Sequence, residues 1–154
     1  MQEIEKIMVA VDLSPYSLPC VQYAHDLAVS LGAEIVLVNV YNERDIRAIR
    51  GALSATDAER AEKIVDENLA NRRDMVAQLA ADAGAQQTVV QQIVQVGVPQ
   101  QALLDIIKEQ KPDLVVIGTK GRTNLADALV GSCARRVFRR SLVPVLMLPP
   151  TVAG

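Results

Sequence analysis

The chain predicts an α/β fold: a doubly wound, five-stranded parallel sheet with helices on both faces, Rossmann-like in layout. Three observations carry this. Strand-like and helix-like segments alternate from end to end, the pattern of a parallel sheet covered by helices. The runs Ile7-Met8-Val9-Ala10-Val11 and Leu114-Val115-Val116-Ile117 are too apolar to keep one face wet, as strands buried on both sides require. Glycine or proline stands at the joints, at Pro15, Gly32, Gly84, Gly97-Val98-Pro99 and Pro112. Right-handed crossovers then leave few layouts. In such sheets ligands sit beyond the carboxyl ends of the strands, where the winding direction reverses. The loops after strands one, two and four are therefore where chemistry is expected.

Strand one spans Lys6 to Val11 and breaks at Asp12-Leu13-Ser14-Pro15. A helix follows from Ser17 to Leu31, with Pro19 tolerated in its first turn. Its apolar stripe is Cys20, Ala24, Leu27, Ala28 and Leu31, and Gly32 is its left-handed stop. Glu34 to Val40 is strand two. Between Tyr41 and Ala55 the signal is mixed, although Ile46, Ile49 and Leu53 are spaced for a short helical turn. The longest helix runs from Asp57 to Ala83, opened by a Thr56–Glu59 capping box. Its stripe is Ile64, Val65, Leu69, Met75, Val76, Leu79 and Ala83. Strand three is Thr88 to Val96, and Pro99 starts a helix reaching Gln110. Strand four is Leu114 to Ile117, the last helix Gly131 to Arg140, and strand five Val143 to Leu148.

Composition removes several functions. With 154 residues, half of them apolar, one core is expected without disulfides or metals, and the whole of 1–154 reads as a single domain. Sixteen Lys and Arg against 18 Asp and Glu leave a charge of −2, and there is no Trp and only one Phe. Nucleic-acid binding, which uses basic excess and aromatic stacking, is not expected. No apolar run is long enough to span a membrane, and the opening Met1-Gln2-Glu3-Ile4-Glu5 has no signal-peptide character. Cys20 and Cys133 form no CxxC pair and His25 is the only histidine, so no zinc site is expected. A reducing, cytoplasmic setting is the expectation.

The segment Gly118 to Ser132 holds the densest chemistry. It begins where the buried fourth strand ends and closes at a helix start. Glycines there let the backbone approach a ligand or adopt positive φ, and a helix N-terminus offers free N–H donors to phosphate. Ser132 adds a hydroxyl; Lys120 and Arg122 add positive charge. The alternative is purely structural, with Gly118 and Gly121 serving a turn and Gly131-Ser132 an N-cap. No Gly-Lys-Ser/Thr follows, so this is not a Walker A loop. Cys133 reads either as a small residue packed under that loop or as a thiol activated by the helix start. Arg139 and Arg140 lie about 12 Å along the helix from its start and suit its negative end. Arg44, Arg47 and Arg50 read as a solvated face or as a lid over phosphates.

The spacing Gly118-x2-Gly121-x9-Gly131-Ser132 resembles the nucleotide-binding signature of the universal stress proteins. Asp12 in Val9-Ala10-Val11-Asp12-Leu13-Ser14, the exit Val96-Gly97-Val98-Pro99 and the final Val143-Pro144-Val145-Leu146 resemble the same family from Ile4 to Leu148. Leu13 departs from it, standing where many members have Gly. The resemblance implies an adenine-nucleotide α-hydrolase-like fold and an ATP or other adenine-nucleotide ligand, with Mg²⁺ or Mn²⁺ bridging its phosphates. It implies that Asp12 meets the nucleoside, although an Asx-turn before Pro15 is the equal alternative. Val40 would meet adenine through its main chain. Gly118, Gly121 and Arg122 would follow ribose and phosphates, and Gly131, Ser132 and the Cys133 N–H would receive the phosphates.

Three functions follow as expectations. The first is an ATP-binding regulatory module in stress response, in which binding orders the glycine loop and shifts partner-binding states. The others are a slow ATPase or nucleotidyl- or phosphoryl-transferring enzyme, and a dimeric scaffold with a vestigial site. The resemblance also implies a homodimer through the final strand, Val143 to Leu148, which would cover an apolar edge; the protein partner is unspecified.

Overall fold

In a computed structural model of the chain, residues 2–53, 57–120 and 131–150 are described. The elements run β1 (Lys6–Ala10), α1 (Ser17–Leu31), β2 (Glu34–Asn42), α2 (Glu43–Leu53), α3 (Ala58–Asp82), β3 (Val89–Gly97), α4 (Pro99–Gln110), β4 (Leu114–Gly118), α5 (Ser132–Arg140) and β5 (Val145–Leu148). The strands form one sheet in the order β3-β2-β1-β4-β5, every pairing parallel. The chain winds outward from β1 to β3, then crosses back to β4 and β5. The reversal falls between β1 and β4, as expected for the ligand-bearing crevice.

Strand alternation sends the side chains to two cores. Ile7, Val9, Ile35, Leu37 and Val116 meet Cys20, Val21, Ala24 and Ala28 of α1 and Val76 and Ala80 of α3. Met8, Val36, Val38, Val115 and Ile117 meet Leu103, Ile106 and Ile107 of α4 and Ala134 and Val137 of α5. A fully buried Val or Ile is worth about 1.5–3 kcal/mol. The centre of the sheet, where Ile7, Val9 and Val116 are fully enclosed, is therefore the part least tolerant of truncation. Asp113 sets the strands' entry, its Oδ2 accepting from the Glu5 and Lys6 amides at 3.0 and 2.9 Å.

Several boundaries and faces differ from the sequence reading. The mixed stretch after strand two resolves into two further residues of β2 and the eleven-residue α2. Its Ile46 packs with Tyr41 and Val65, and Ile49 and Leu69 lean on that cluster. The α3 cap is Asp57, whose carboxylate accepts from the Arg60 amide at 2.9 Å; Thr56 lies outside the described residues. An Asp three residues before a free amide caps as well as Thr, so the cap falls one residue later than expected and is a single bond in place of a reciprocal box. Leu31 and Met75 are exposed because their helices rotate Val21 and Ala80 inward instead. Strand β5 starts at Val145, since Ser141 and Val143 close a small turn through the Ser141 hydroxyl.

Candidate functional site

A cavity of about 430 Å³ opens at the carboxyl ends of β1, β2 and β4. Of the residues singled out in the sequence, Asp12, Val40, Gly118, Gly131, Ser132 and Cys133 all line it. Gly121 and Arg122 lie outside the described residues.

The wall from β1 is built by a turn. The Asp12 Oδ1 accepts from the Ser14 amide at 3.0 Å and from the Ser17 hydroxyl at 3.2 Å. Both bonds fall on one oxygen: the Asx-turn weighed for Asp12 forms, and Oδ2 takes no part in it. Leu13 follows at φ 62°, a left-handed conformation that costs a non-glycine residue roughly 1–2 kcal/mol.

The β2 wall begins where β1 stops. The last rung between them is Val11 N–H to Val38 O at 2.9 Å. Beyond it Val40 has no β1 residue opposite in the register. Asn39, 1% exposed, donates Nδ2 to Val11 O at 2.8 Å. Its Oδ1 accepts from Arg72 Nη1 at 3.1 Å. The Arg72 guanidinium lies 4.2 Å from the centre of the Tyr41 ring, a cation–π distance, and the Tyr41 hydroxyl accepts from Asn68 at 3.0 Å. Arg72 borders the cavity.

The third wall joins β4 to α5. Thr119, buried, donates its amide and hydroxyl to Leu148 O at 2.9 and 3.1 Å, and its own carbonyl accepts from the Gly131 amide at 2.6 Å. A Cβ on Gly131 would stand 3.3 Å from that carbonyl, so close approach is why glycine sits there. Neither Gly118 nor Gly131 has positive φ, which corrects one of the two reasons given for these glycines. Gly131 caps α5 with no side-chain bond, leaving the first-turn amides of Ser132, Cys133 and Ala134 to face the cavity, with the positive helix end behind them.

The two thiols are held in their protonated form. Burial, then the nearby Asp12 carboxylate, pushes Cys20 up to about 12 and Cys133 up to about 11. This direction opposes the activated-thiol alternative for Cys133, since desolvation and a neighbouring carboxylate both disfavour the thiolate. His25 is half-buried, and its Nδ1 pairs with Thr88 Oγ1 at 2.8 Å. That hydroxyl already donates to Ala85 O, so the imidazole is the donor. Of the three spaced arginines, Arg47 pairs with Glu43 and Arg50 with Glu62; Arg44 alone reaches the cavity wall, beside Asp45. Among the described residues no group of His, Cys, Asp or Glu is placed to hold a metal, and no helix is long and apolar enough to cross a membrane.

Asn39, Arg72 and Thr119 escaped the sequence reading. A signal existed for the first: an amide inside an otherwise apolar strand must find partners once buried.

Comparison with known proteins gives a consistent picture. Residues 3–149 match the model of the universal stress protein family. The universal stress protein MJ0577 of Methanocaldococcus jannaschii is 23% identical over 156 residues, 94% of each chain. Universal stress protein Rv1636 of Mycobacterium tuberculosis is 39% identical over 72 residues, about half of each. Among solved structures, that of MJ0577 superposes with a TM-score of 0.81 at 21% identity, covering 96% of this chain and 97% of that one. UspA from Lactobacillus plantarum gives 0.77 at 19%, covering 96% and 99%. A universal stress protein in complex with cAMP gives 0.59 at 24%, covering 97% and 100%.

Proposed function

As this chain belongs to the universal stress protein family, we propose that it is an ATP-binding regulatory module and not a dedicated catalyst. The observation that carries this reading is the convergence of Asp12, Val40, Gly118, Gly131, Ser132 and Cys133 on one cavity at the sheet's reversal. The volume, about 430 Å³, suits a small-molecule site. The fit is chemical as well. Uncapped amides at the start of α5 suit phosphate oxygens, the β2 edge at Val40 suits a flat base, and the free oxygen of Asp12 suits a ribose hydroxyl. A relative with cAMP bound makes the cyclic nucleotide the natural competitor to test.

The residues point to holding more than to reacting. No histidine borders the cavity among the described residues, and the Asp12 carboxylate is tied into its turn. A divalent ion, Mg²⁺ or Mn²⁺, would ride on phosphate oxygens and keep its waters, needing few protein ligands. Nucleotide occupancy would then favour one partner-binding state over another. Calorimetric titration with ATP, ADP, AMP and cAMP, with and without Mg²⁺, tests the reading. We expect saturable ATP binding that is lost in Gly131→Val, with turnover near background. No binding at millimolar nucleotide overturns it, and fast hydrolysis lost in Asp12→Ala at unchanged affinity overturns the non-catalytic half.

A further inference from the structure

The sheet splits between β1 and β2 in a particular way. In a parallel pair, alternate residues of one strand turn both N–H and C=O toward the same neighbour. Glu34 N–H bonds Glu5 O, and Val38 O receives the Val11 N–H, whereas Ile35 N–H bonds Thr88 O next to β3. Even-numbered residues of β2 therefore face β1, and Val40 is the next of them. The following rung would run from Val40 N–H to Val11 O. Among the described residues that bond is not made. Val11 O instead takes its hydrogen bond from Asn39 Nδ2 at 2.8 Å.

The amide has little freedom to point elsewhere. Arg72 is a donor only, so its bond at 3.1 Å assigns the facing atom of Asn39 as Oδ1, and Nδ2 is turned toward Val11. Arg72 is itself placed over the Tyr41 ring, 4.2 Å from its centre. The result is a side chain that occupies the main-chain acceptor and leaves the Val40 N–H without its rung, on a residue that lines the cavity.

We propose that Asn39 is a positioning residue that keeps the Val40 N–H unpaired, and so sets a preference for a base with a hydrogen-bond acceptor at that point. The base preference rests on the nucleotide reading above; the unpaired amide does not. Adenine offers a bare ring nitrogen, N1, beside its amino group. Hypoxanthine carries a hydrogen on N1 and would meet Val40 donor to donor. Discrimination of this kind is stronger than apolar contact provides, because a mismatched base leaves a desolvated donor without a partner.

The test has two arms. Amide hydrogen exchange on the nucleotide-free protein is expected to show Val40 exchanging about 100-fold faster than Val38. In Asn39→Asp, which keeps the size and the Arg72 contact but has no donor for Val11, the rung closes and Val40 becomes as slow as Val38. Equal protection of Val40 and Val38 in the wild type, or no change in Asn39→Asp, overturns the positioning role. This arm requires no ligand, and its wild-type half requires no variant. The second arm titrates ATP and inosine triphosphate. Asn39→Asp is expected to weaken ATP roughly tenfold, the loss of one hydrogen bond, and to narrow or reverse the gap to inosine triphosphate, whose clash with the Val40 donor is relieved once that donor pairs with Val11. An equal loss of both shows a merely structural role and overturns the base preference. Absence of binding by either nucleotide in the wild type sinks the nucleotide reading and the base preference together, and the exchange pattern still decides what Asn39 does.

Discussion

Thr119 and Leu148 are joined twice, the amide and the hydroxyl of one residue both donating to the carbonyl of the other at 2.9 and 3.1 Å. The pair ties the exit of β4 to the end of β5, at the root of the segment that returns to Gly131. Thr119→Val preserves the shape and removes one donor. We expect about 1 kcal/mol of lost stability, read by urea denaturation. We also expect weaker ATP binding, because the Thr119 carbonyl positions Gly131 through a 2.6 Å bond.

Leu13 combines a left-handed backbone, φ 62°, with partial packing against the α1-side core. Leu13→Ala removes the packing and keeps the strain. Leu13→Gly removes both. The glycine variant is therefore expected to be more stable than the alanine variant by about 1 kcal/mol, the reverse of their usual order. Denaturation midpoints of the two proteins decide this, and a more stable alanine would mean the bend is not at Leu13.

The sheet was legible because its strands carry their own signature: Ile7 to Val11 and Leu114 to Ile117 have no polar residue to mislead. The glycine–serine spacing was legible for a similar reason, since a Cβ at Gly131 would crowd the Thr119 carbonyl at 3.3 Å and that close approach leaves a mark in the sequence. What stayed hidden was long-range and polar. Helix α2 buries only Ile46 and is held largely by Val65 and Glu62 of α3, the one packing on Ile46 and the other pairing with Arg50, both remote from it in the chain. Arg72 lies in a helix rich in charge, and nothing in the sequence separates it from Arg73 until α3 turns one toward Asn39 and the other to solvent. The α3 cap slipped by one residue because Thr56 and Asp57 are both good caps, and only the helix start chooses between them.

The thiols give a pH dependence. Folded Cys133 and Cys20 keep their protons to about 11 and about 12, whereas an unfolded thiol loses its proton near 8.5. Between about pH 9 and pH 11 the unfolded chain binds fewer protons, so stability falls as pH rises, by at most about 1.4 kcal/mol per pH unit for each thiol. Below pH 8 both states are protonated and the effect vanishes. Subtracting the stability–pH curve of the Cys20→Ala, Cys133→Ala double variant isolates this slope. A flat difference would show that the thiols are solvated in the folded protein. Both cysteines are also expected to alkylate slowly at pH 7.5 until the protein is unfolded.

The two edges of the sheet are unlike. Strand β3, at one edge, is partly polar, carrying Gln91, Gln92 and Gln95. Strand β5, at the other, is Val145-Leu146-Met147-Leu148. Phe138 and Leu142 beside it are 53% and 90% exposed. An apolar edge left open invites uncontrolled association, and a two-fold contact between β5 strands would close it. Light scattering is expected to give about twice the 16.7 kDa chain mass. Val145→Glu with Met147→Glu should give monomers, since two like-charged pairs would face each other across the axis. Leu142→Asp serves as the milder variant, because a side chain so exposed has no part in folding the monomer. A dimer mass that survives all three substitutions would place the contact elsewhere on the molecule.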